Sequence, residues 1–139
     1  MLYNRNLEEF IINISPSNES KVILEKIMTY KEMLIDENKR INLISKTTLD
    51  DINNRHFLDS VQLMPIINSK NQSLLDVGSG AGLPGIMLAI AGCKNVNLVE
   101  KQGKKCEFLK KVNDKLELNM NILNSRVEEI KGKNFNFIV

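Results

Sequence analysis

The sequence predicts an α/β fold, a parallel sheet preceded by a helical region, and three observations lead to that prediction. Apolar residues recur at helical spacing through the first 70 residues. A short apolar stretch, a glycine-rich loop and a second apolar stretch follow over residues 74–91. From there to residue 139, strand patterns alternate with helical ones, as in sheets whose parallel strands are joined by helices. We therefore divide the chain into a helical region, residues 1–70, and a sheet-forming region, residues 71–139.

The composition indicates a globular, cytoplasmic protein. The 139 residues are 42% hydrophobic and 26% charged, which suits one domain with a sizeable core. A net charge of +2 is too small to indicate nucleic-acid binding by itself. Cys93 and Cys106 have neither disulfide-like nor metal-like spacing, so we expect buried thiols, a reducing compartment and no metal site. No signal peptide or membrane-spanning run is visible.

Three helices are predicted in the first region. Apolar positions indicate one over residues 1–14 and a second, amphipathic one over residues 18–38. One stripe of the second helix is formed by Ile23, Ile27, Tyr30 and Leu34. A short apolar link follows, and Thr48 is the predicted N-cap of a third helix, with two aspartates in its first turn and its end near Met64.

The second region begins with a strand, a glycine loop and a helix. Leu74–Val77 has the length and composition of a buried parallel strand. The loop after it contains four glycines, which permit positive φ and let a ligand approach the backbone; they are Gly78, Gly80, Gly82 and Gly85. Pro84 suits a first helical turn, and residues 86–91 form the predicted helix. Free N–H groups at a helix start are typical of a nucleotide-type site.

Asp76 indicates which nucleotide the loop prefers. The spacing Gly80-x-Gly82-x-x-Gly85 also matches the dinucleotide fingerprint. A carboxylate at Asp76 would repel a pyrophosphate, whereas S-adenosylmethionine has an ammonium, a sulfonium and no phosphate. Asp76 therefore favours S-adenosylmethionine over NAD. A nicotinamide-dependent oxidoreductase domain and a plain glycine-rich turn without ligand are the alternatives.

The remaining elements complete a four-stranded parallel sheet. Strands are predicted over residues 96–100, 120–123 and 135–139, and a helix over residues 104–118. Residues 126–130 are predicted to be a loop or a single helical turn. In such a sheet the ligand lies outside the carboxyl ends of the strands.

Three residues near those carboxyl ends are candidate ligand contacts. Glu100 ends the second strand, where a carboxylate can accept both hydroxyls of a ribose. The alternative is a surface glutamate paired with a lysine among residues 101–105. Val127 and Glu128 follow the third strand, and spacing alone leaves an adenine contact and a simple helix start equally open.

Two further features have structural explanations. His56, the single histidine, is interpreted as a hydrogen-bonding structural residue, and Arg55 and Asp59 are spaced for a local ion pair. The lysine-rich helix is interpreted as a solvated face or as a phosphate contact; its lysines are Lys101, Lys104, Lys105, Lys110, Lys111 and Lys115.

Five segments together resemble a known family. They occur in the order Asn42-Leu43, Arg55-His56-Phe57-Leu58-Asp59-Ser60, the glycine loop from Asp76 to Ile86, Gly103-Lys104-Lys105-Cys106-Glu107-Phe108-Leu109, and Ser125-Arg126-Val127-Glu128-Glu129. From about residue 20 to its last residue, the chain is similar to the bacterial small-subunit ribosomal RNA guanine-N7 methyltransferases, also called glucose-inhibited division protein B.

The resemblance implies a class I S-adenosylmethionine methyltransferase fold, Rossmann-like, with an N-terminal helical cap. It implies methyl transfer to N7 of a guanine in the decoding-region loop of 16S rRNA, with the small ribosomal subunit as partner. Gly78 and Leu83 match cofactor contacts of the family's loop, and Val127 and Glu128 match its adenine contacts. Glu100 stands where the family often has aspartate, and a ribose role survives that change.

The family continues past the fourth strand with a Ser-Arg-Ala segment and three more strands. We therefore expect residues 71–139 to be the cofactor-binding half of a longer domain, incomplete at the C-terminus. A remnant without catalytic activity is the alternative to an active enzyme. We also expect self-association through the apolar edge of the fourth strand, over residues 135–139.

Overall fold

The computed structural model, which describes residues 2–67, 69–130 and 132–139, contains a parallel four-stranded sheet. Its strands are β1 (Ser73–Val77), β2 (Asn95–Val99), β3 (Asn121–Leu123) and β4 (Phe137–Ile138). They lie in the order β3-β2-β1-β4, and every neighbouring pair is parallel. The chain thus builds outward from β1 to β3 and then returns to the other side of β1. The predicted α/β fold is confirmed.

Two predicted helices before the glycine loop and two after it are also confirmed, and their ends differ from the predicted ones by a few residues. The first region contains α1 (Leu2–Ile14) and α2 (Ser20–Glu37). The sheet region contains a short helix after the loop, Gly85–Ile90, and a longer one, Gly103–Leu116. The longer helix ends before the predicted residue 118 because Glu117 adopts the left-handed conformation, with φ +53°.

The predicted continuous helix from Thr48 to Met64 is wrong. The structure has a single α-turn α3 (Lys46–Leu49), a π-helical segment Asn53–Leu58, α4 (Asp59–Val61) and a 3₁₀ turn Met64–Ile66. The two helices of the sheet region are therefore numbered α5 (Gly85–Ile90) and α6 (Gly103–Leu116). Segment 45–54 is rich in Ser, Thr, Asn and Asp, whose side chains compete for backbone groups and weaken a helix.

Thr48 shows that competition directly. Its hydroxyl donates to the Ser45 carbonyl at 3.1 Å and lies 2.9 Å from Nε2 of His56, so it is not an N-cap. The structural role expected for His56 fits this bond. The ion pair expected between Arg55 and Asp59 is wrong, since Arg55 Nε lies 3.8 Å from Asp51 Oδ2 one turn earlier.

The fourth strand is shorter than predicted, but the backbone beyond it still bonds to β1. Val77 N–H donates to the Val139 carbonyl at 3.0 Å, and Val139 N–H donates to the Leu75 carbonyl at 2.9 Å. β4 is an edge of the described sheet, and Ile138 is 67% exposed there. The self-association expected at this edge stays a prediction.

One apolar core holds the two regions together. Side chains from α1 and α2 and from the sheet and its helices form a single buried cluster. Tyr30 of α2 stacks on Phe57 of the π-helical segment, with ring centroids 5.3 Å apart. Cys93 and Cys106 are buried free thiols within the fold. None of the helices in the described part of the chain combines the length and apolarity needed to cross a bilayer.

Candidate functional site

A cavity of about 300 Å³ opens at the carboxyl ends of β1, β2 and β3, and we call it the strand-end cavity. Its lining comes from the segments that follow those three strands and from the start of α6, namely Val77, Gly78, Val99, Glu100, Lys101, Gln102, Lys105, Ser125, Arg126, Val127 and Glu128. Ligands of open parallel sheets bind at this end, where the strand order reverses. Here the reversal lies between β1 and β4.

The glycine loop is fixed at its start by β2. Gly78 N–H and Ser79 N–H both donate to the Val99 carbonyl, at 2.9 and 3.1 Å. Gly82 has φ +96°, and a Cβ there would lie 2.1 Å from Cδ1 of Ile86. A larger residue at Gly82 therefore meets both backbone strain and a core side chain. The loop can lie this close to α5 only because it carries no side chain at that point.

Asp76 holds the far end of the loop. Its side chain is buried, and Oδ2 accepts from Gly85 N–H at 2.9 Å, at the start of α5. Burial raises the pKa of Asp76 to about 7, although the Gly85 hydrogen bond acts in the opposite direction. Asp76 is absent from the lining of the strand-end cavity, so its carboxylate acts on the loop. A direct contact of Asp76 with a ligand's cationic end stays a prediction.

Glu100 is a buried carboxylate in the lining of the strand-end cavity. It is only 6% exposed, and its two carboxylate oxygens accept from Gly80 N–H at 2.9 Å and Gln102 N–H at 2.8 Å. Within the described residues its partners are thus backbone groups, and the alternative of a surface glutamate paired with a lysine fails. Each oxygen keeps a second lone pair for a ligand hydroxyl. Gly80 contributes to the site by orienting this carboxylate.

Val127 and Glu128 lie at the opposite wall from the glycine loop. They begin a 3₁₀ turn, Val127–Glu129, directly after β3, and both line the strand-end cavity. Of the loop and the single helical turn predicted here, the structure has the turn. Val127 and Glu128 belong to this turn and also line the cavity. Val127 is 38% exposed and, with Val77 and Val99, supplies apolar surface for a flat ring.

Sequence reasoning missed the contribution of Tyr30. Its hydroxyl donates to the Ala81 carbonyl in the glycine loop at 2.7 Å, across 51 residues of sequence. Burial, followed by the nearby Asp76, raises the pKa of Tyr30 well above its usual value, so the hydroxyl stays protonated. A tyrosine in an otherwise aliphatic stripe was the available signal, because a buried hydroxyl needs a partner. The helical region thus contacts the glycine loop directly, through the Tyr30 hydroxyl.

Leu83 lies outside the strand-end cavity, in a second cavity of about 280 Å³ that we call the Arg55 cavity. This cavity separates the π-helical segment and α4 from the end of the glycine loop. Its lining is Arg55, His56, Asp59, Ser60, Leu63, Leu83 and Pro84. Burial lowers the pKa of His56, and the Asp59 carboxylate partly offsets that effect, so the ring is neutral at pH 7.

The lysines in α6 and just before it divide into two groups. Lys101 and Lys105 border the strand-end cavity, together with Arg126. The other four lie exposed along the outer face of α6: Lys104, Lys110, Lys111 and Lys115. For these four lysines the structure leaves both a solvated role and a phosphate contact open.

The strand-end cavity has the chemical groups that S-adenosylmethionine requires. Glu100 offers lone pairs to ribose hydroxyls, the valines offer an apolar wall to adenine, and the loop after β1 offers backbone groups. The residues present therefore fit this cofactor. They bring together Gly78, Glu100, Val127 and Glu128 from the predicted set, while Asp76, Gly80 and Leu83 act from outside the lining.

Comparison with known proteins shows which family this chain matches. The family described as rRNA small subunit methyltransferase G matches residues 23–139. A ribosomal RNA small subunit methyltransferase G from Paramagnetospirillum magneticum is 40% identical over 117 residues, which are 84% of this chain and 57% of that protein. The protein of the same name from Rickettsia akari is 43% identical over 111 residues, 80% of this chain and 58% of its own length. The chain thus spans a little under three fifths of the length of these relatives.

Proposed function

The chain belongs to the rRNA small subunit methyltransferase G family, and from that premise we propose that it binds S-adenosylmethionine for methyl transfer to 16S rRNA. The acceptor we propose is N7 of a guanine in the decoding-region loop, on the small ribosomal subunit in the cytoplasm. Residues 71–139 form the cofactor-binding part in this proposal, and residues 1–70 form the helical cap. The observation that carries the proposal is a buried carboxylate, Glu100, held by backbone N–H groups in a cavity at the strand ends.

The cofactor lies along the strand-end cavity in a defined direction. Val127 and Glu128 would hold its adenine, Glu100 would accept from its ribose hydroxyls, and the loop from Gly78 would hold its methionine part. This orientation is supported by the order of the lining segments, which follow β3, β2 and β1 in turn.

The transfer itself needs little acid–base chemistry. The lone pair on guanine N7 forms a bond to the methyl carbon while the bond from that carbon to sulfur breaks. The sulfonium becomes a neutral thioether, and the positive charge moves to the guanine. Guanine N7 is already a nucleophile, so the protein acts by placing N7 in line with the methyl group. We assign no catalytic base among the described residues.

A comparison of ligands in thermal unfolding tests the proposal. We expect S-adenosylmethionine and S-adenosylhomocysteine to raise the unfolding temperature, because a ligand that binds only the folded state stabilises it. NAD is the control, since it shares the adenosine part and adds a pyrophosphate. Stabilisation by NAD alone would indicate a nicotinamide-binding domain. Transfer of a tritiated methyl group to small-subunit particles then tests the acceptor.

A further inference from the structure

We propose that the Arg55 cavity is the pocket for a guanine base of the RNA, with Asp59 as the residue that selects it. The inference rests on the proposed function, which assigns the strand-end cavity to the cofactor. The two cavities lie at opposite ends of one loop, because Gly78 lines the first and Leu83 and Pro84 line the second. A base in the second cavity and a methyl donor in the first would therefore both contact residues of that loop.

The cavity combines an apolar surface with two opposite charges. Leu63, Leu83 and Pro84 are half-buried and offer a surface against which an aromatic ring can pack. Asp59 and Arg55 are exposed at the opening. Arg55 is turned toward Asp51, and within the described residues Asp59 takes part in no ion pair. The Asp59 carboxylate is therefore available to a ligand.

The chemistry of a carboxylate identifies the base. Guanine carries two neighbouring donors on one edge, N1–H and the N2 amino group, and these match the two oxygens of one carboxylate. Adenine and cytosine present a donor beside an acceptor on that edge, and uracil presents one donor between two acceptors. When Asp59 holds the N1 and N2 edge, N7 lies on the far side of the ring and is left uncovered.

Short RNAs test the pocket on the 139-residue chain. The probes are three fluorescent single-stranded pentamers that differ only in the central base, which is guanine, inosine or adenine. Inosine keeps N7 and N1–H but lacks the N2 amino group. In fluorescence anisotropy we expect the guanine RNA to bind roughly tenfold more tightly than the other two, the discrimination typical of a good bidentate contact.

Two variants separate recognition from folding. Asp59→Asn should abolish the preference for guanine and leave the weak binding common to all three RNAs, because an amide cannot accept two donors. Asp114→Asn, at an exposed acid on the outer face of α6, is the matched control and should keep the preference. Equal unfolding temperatures for the two variants and the wild-type chain exclude a loss of fold.

Other outcomes overturn the inference or locate the failure elsewhere. A wild-type chain that binds no RNA or all three equally contradicts it, as does an Asp59→Asn chain that still prefers guanine. Titration with S-adenosylhomocysteine by calorimetry is run on the same samples. Cofactor binding without a guanine preference would refute only the guanine pocket. A guanine preference without cofactor binding would refute only the proposed binding of S-adenosylmethionine.

Discussion

Asp76→Asn should remove most of the pH dependence of folding stability between pH 5 and 8. Asp76 is 2% exposed, its carboxyl accepts from Gly85 N–H at 2.9 Å, and the Ser79 hydroxyl also stabilises its charged form. Burial is the main cause that raises its pKa from 3.8 to about 7. Asparagine has nearly the shape of the protonated acid, keeps an oxygen for Gly85 and never ionises.

The direction and size of the effect follow from proton binding. The folded state holds the Asp76 proton more tightly than the unfolded chain, so its contribution to stability is complete below the unfolded pKa near 4. That contribution is lost as the pH rises through about 7. The difference between the two pKa values corresponds to about 4 kcal/mol of unfolding free energy, of which roughly 3 kcal/mol falls between pH 5 and 8.

Urea unfolding followed by circular dichroism measures this at pH 5 and pH 8. The wild-type chain should lose about 3 kcal/mol more than Asp76→Asn over that interval, since all other groups titrate alike in both chains. Asp114→Asn, at an exposed acid, should behave like wild type. Parallel losses in the wild-type and Asp76→Asn chains would refute the argument that burial of the Asp76 carboxyl outweighs its hydrogen bonds.

Four further predictions concern the cofactor, the RNA and the sheet edge. Glu100→Ala should weaken S-adenosylhomocysteine binding by about 1–3 kcal/mol in calorimetry, because ribose hydroxyls lose a charged acceptor; an unchanged dissociation constant would remove Glu100 from the site. Tyr30→Phe deletes the 2.7 Å bond to the glycine loop and should weaken the same ligand by about 1 kcal/mol or more; a change in stability without a change in affinity would make the hydroxyl purely structural. Replacing Lys104, Lys111 and Lys115 by Glu should lower affinity for rRNA fragments, most at low salt; an unchanged salt slope would make these lysines solvent-facing only. In light scattering the chain should self-associate through the β4 edge, where Ile138 is 67% exposed; a stable, monodisperse monomer would contradict the edge argument.

The sheet region was predictable because its signals are local and unambiguous. Four glycines after a short apolar strand favour a loop between a strand and a helix, and apolar residues at every fourth position indicate α6. The positions of Glu100 and Val127 followed from one rule, that ligands lie beyond the carboxyl ends of parallel strands. The structure places both in one cavity.

The predictions that were wrong or incomplete concern polar side chains whose hydrogen-bond partners cannot be identified from the spacing of apolar residues. Thr48 had the features of an N-cap, but its hydroxyl instead contacts Ser45 and His56, and the helix breaks into α, π and 3₁₀ pieces. The bond from Gly85 N–H to Oδ2 of Asp76 is likewise not visible in local spacing, whereas a contact of Asp76 with a ligand's cationic end stays a prediction. Tyr30 counted only as apolar surface, because a partner 51 residues away cannot be read from local spacing.

The most direct test of the central claim, that the strand-end cavity holds S-adenosylmethionine, is a titration of the ¹⁵N-labelled chain with S-adenosylhomocysteine followed by NMR. The account predicts that the largest amide shifts occur at Gly78, Glu100, Val127 and Glu128, which line that cavity. Amides near Met28, in the groove between α1 and α2, serve as the internal control and should stay unchanged. Saturable shifts confined to another part of the molecule, or none at millimolar ligand, would contradict the account.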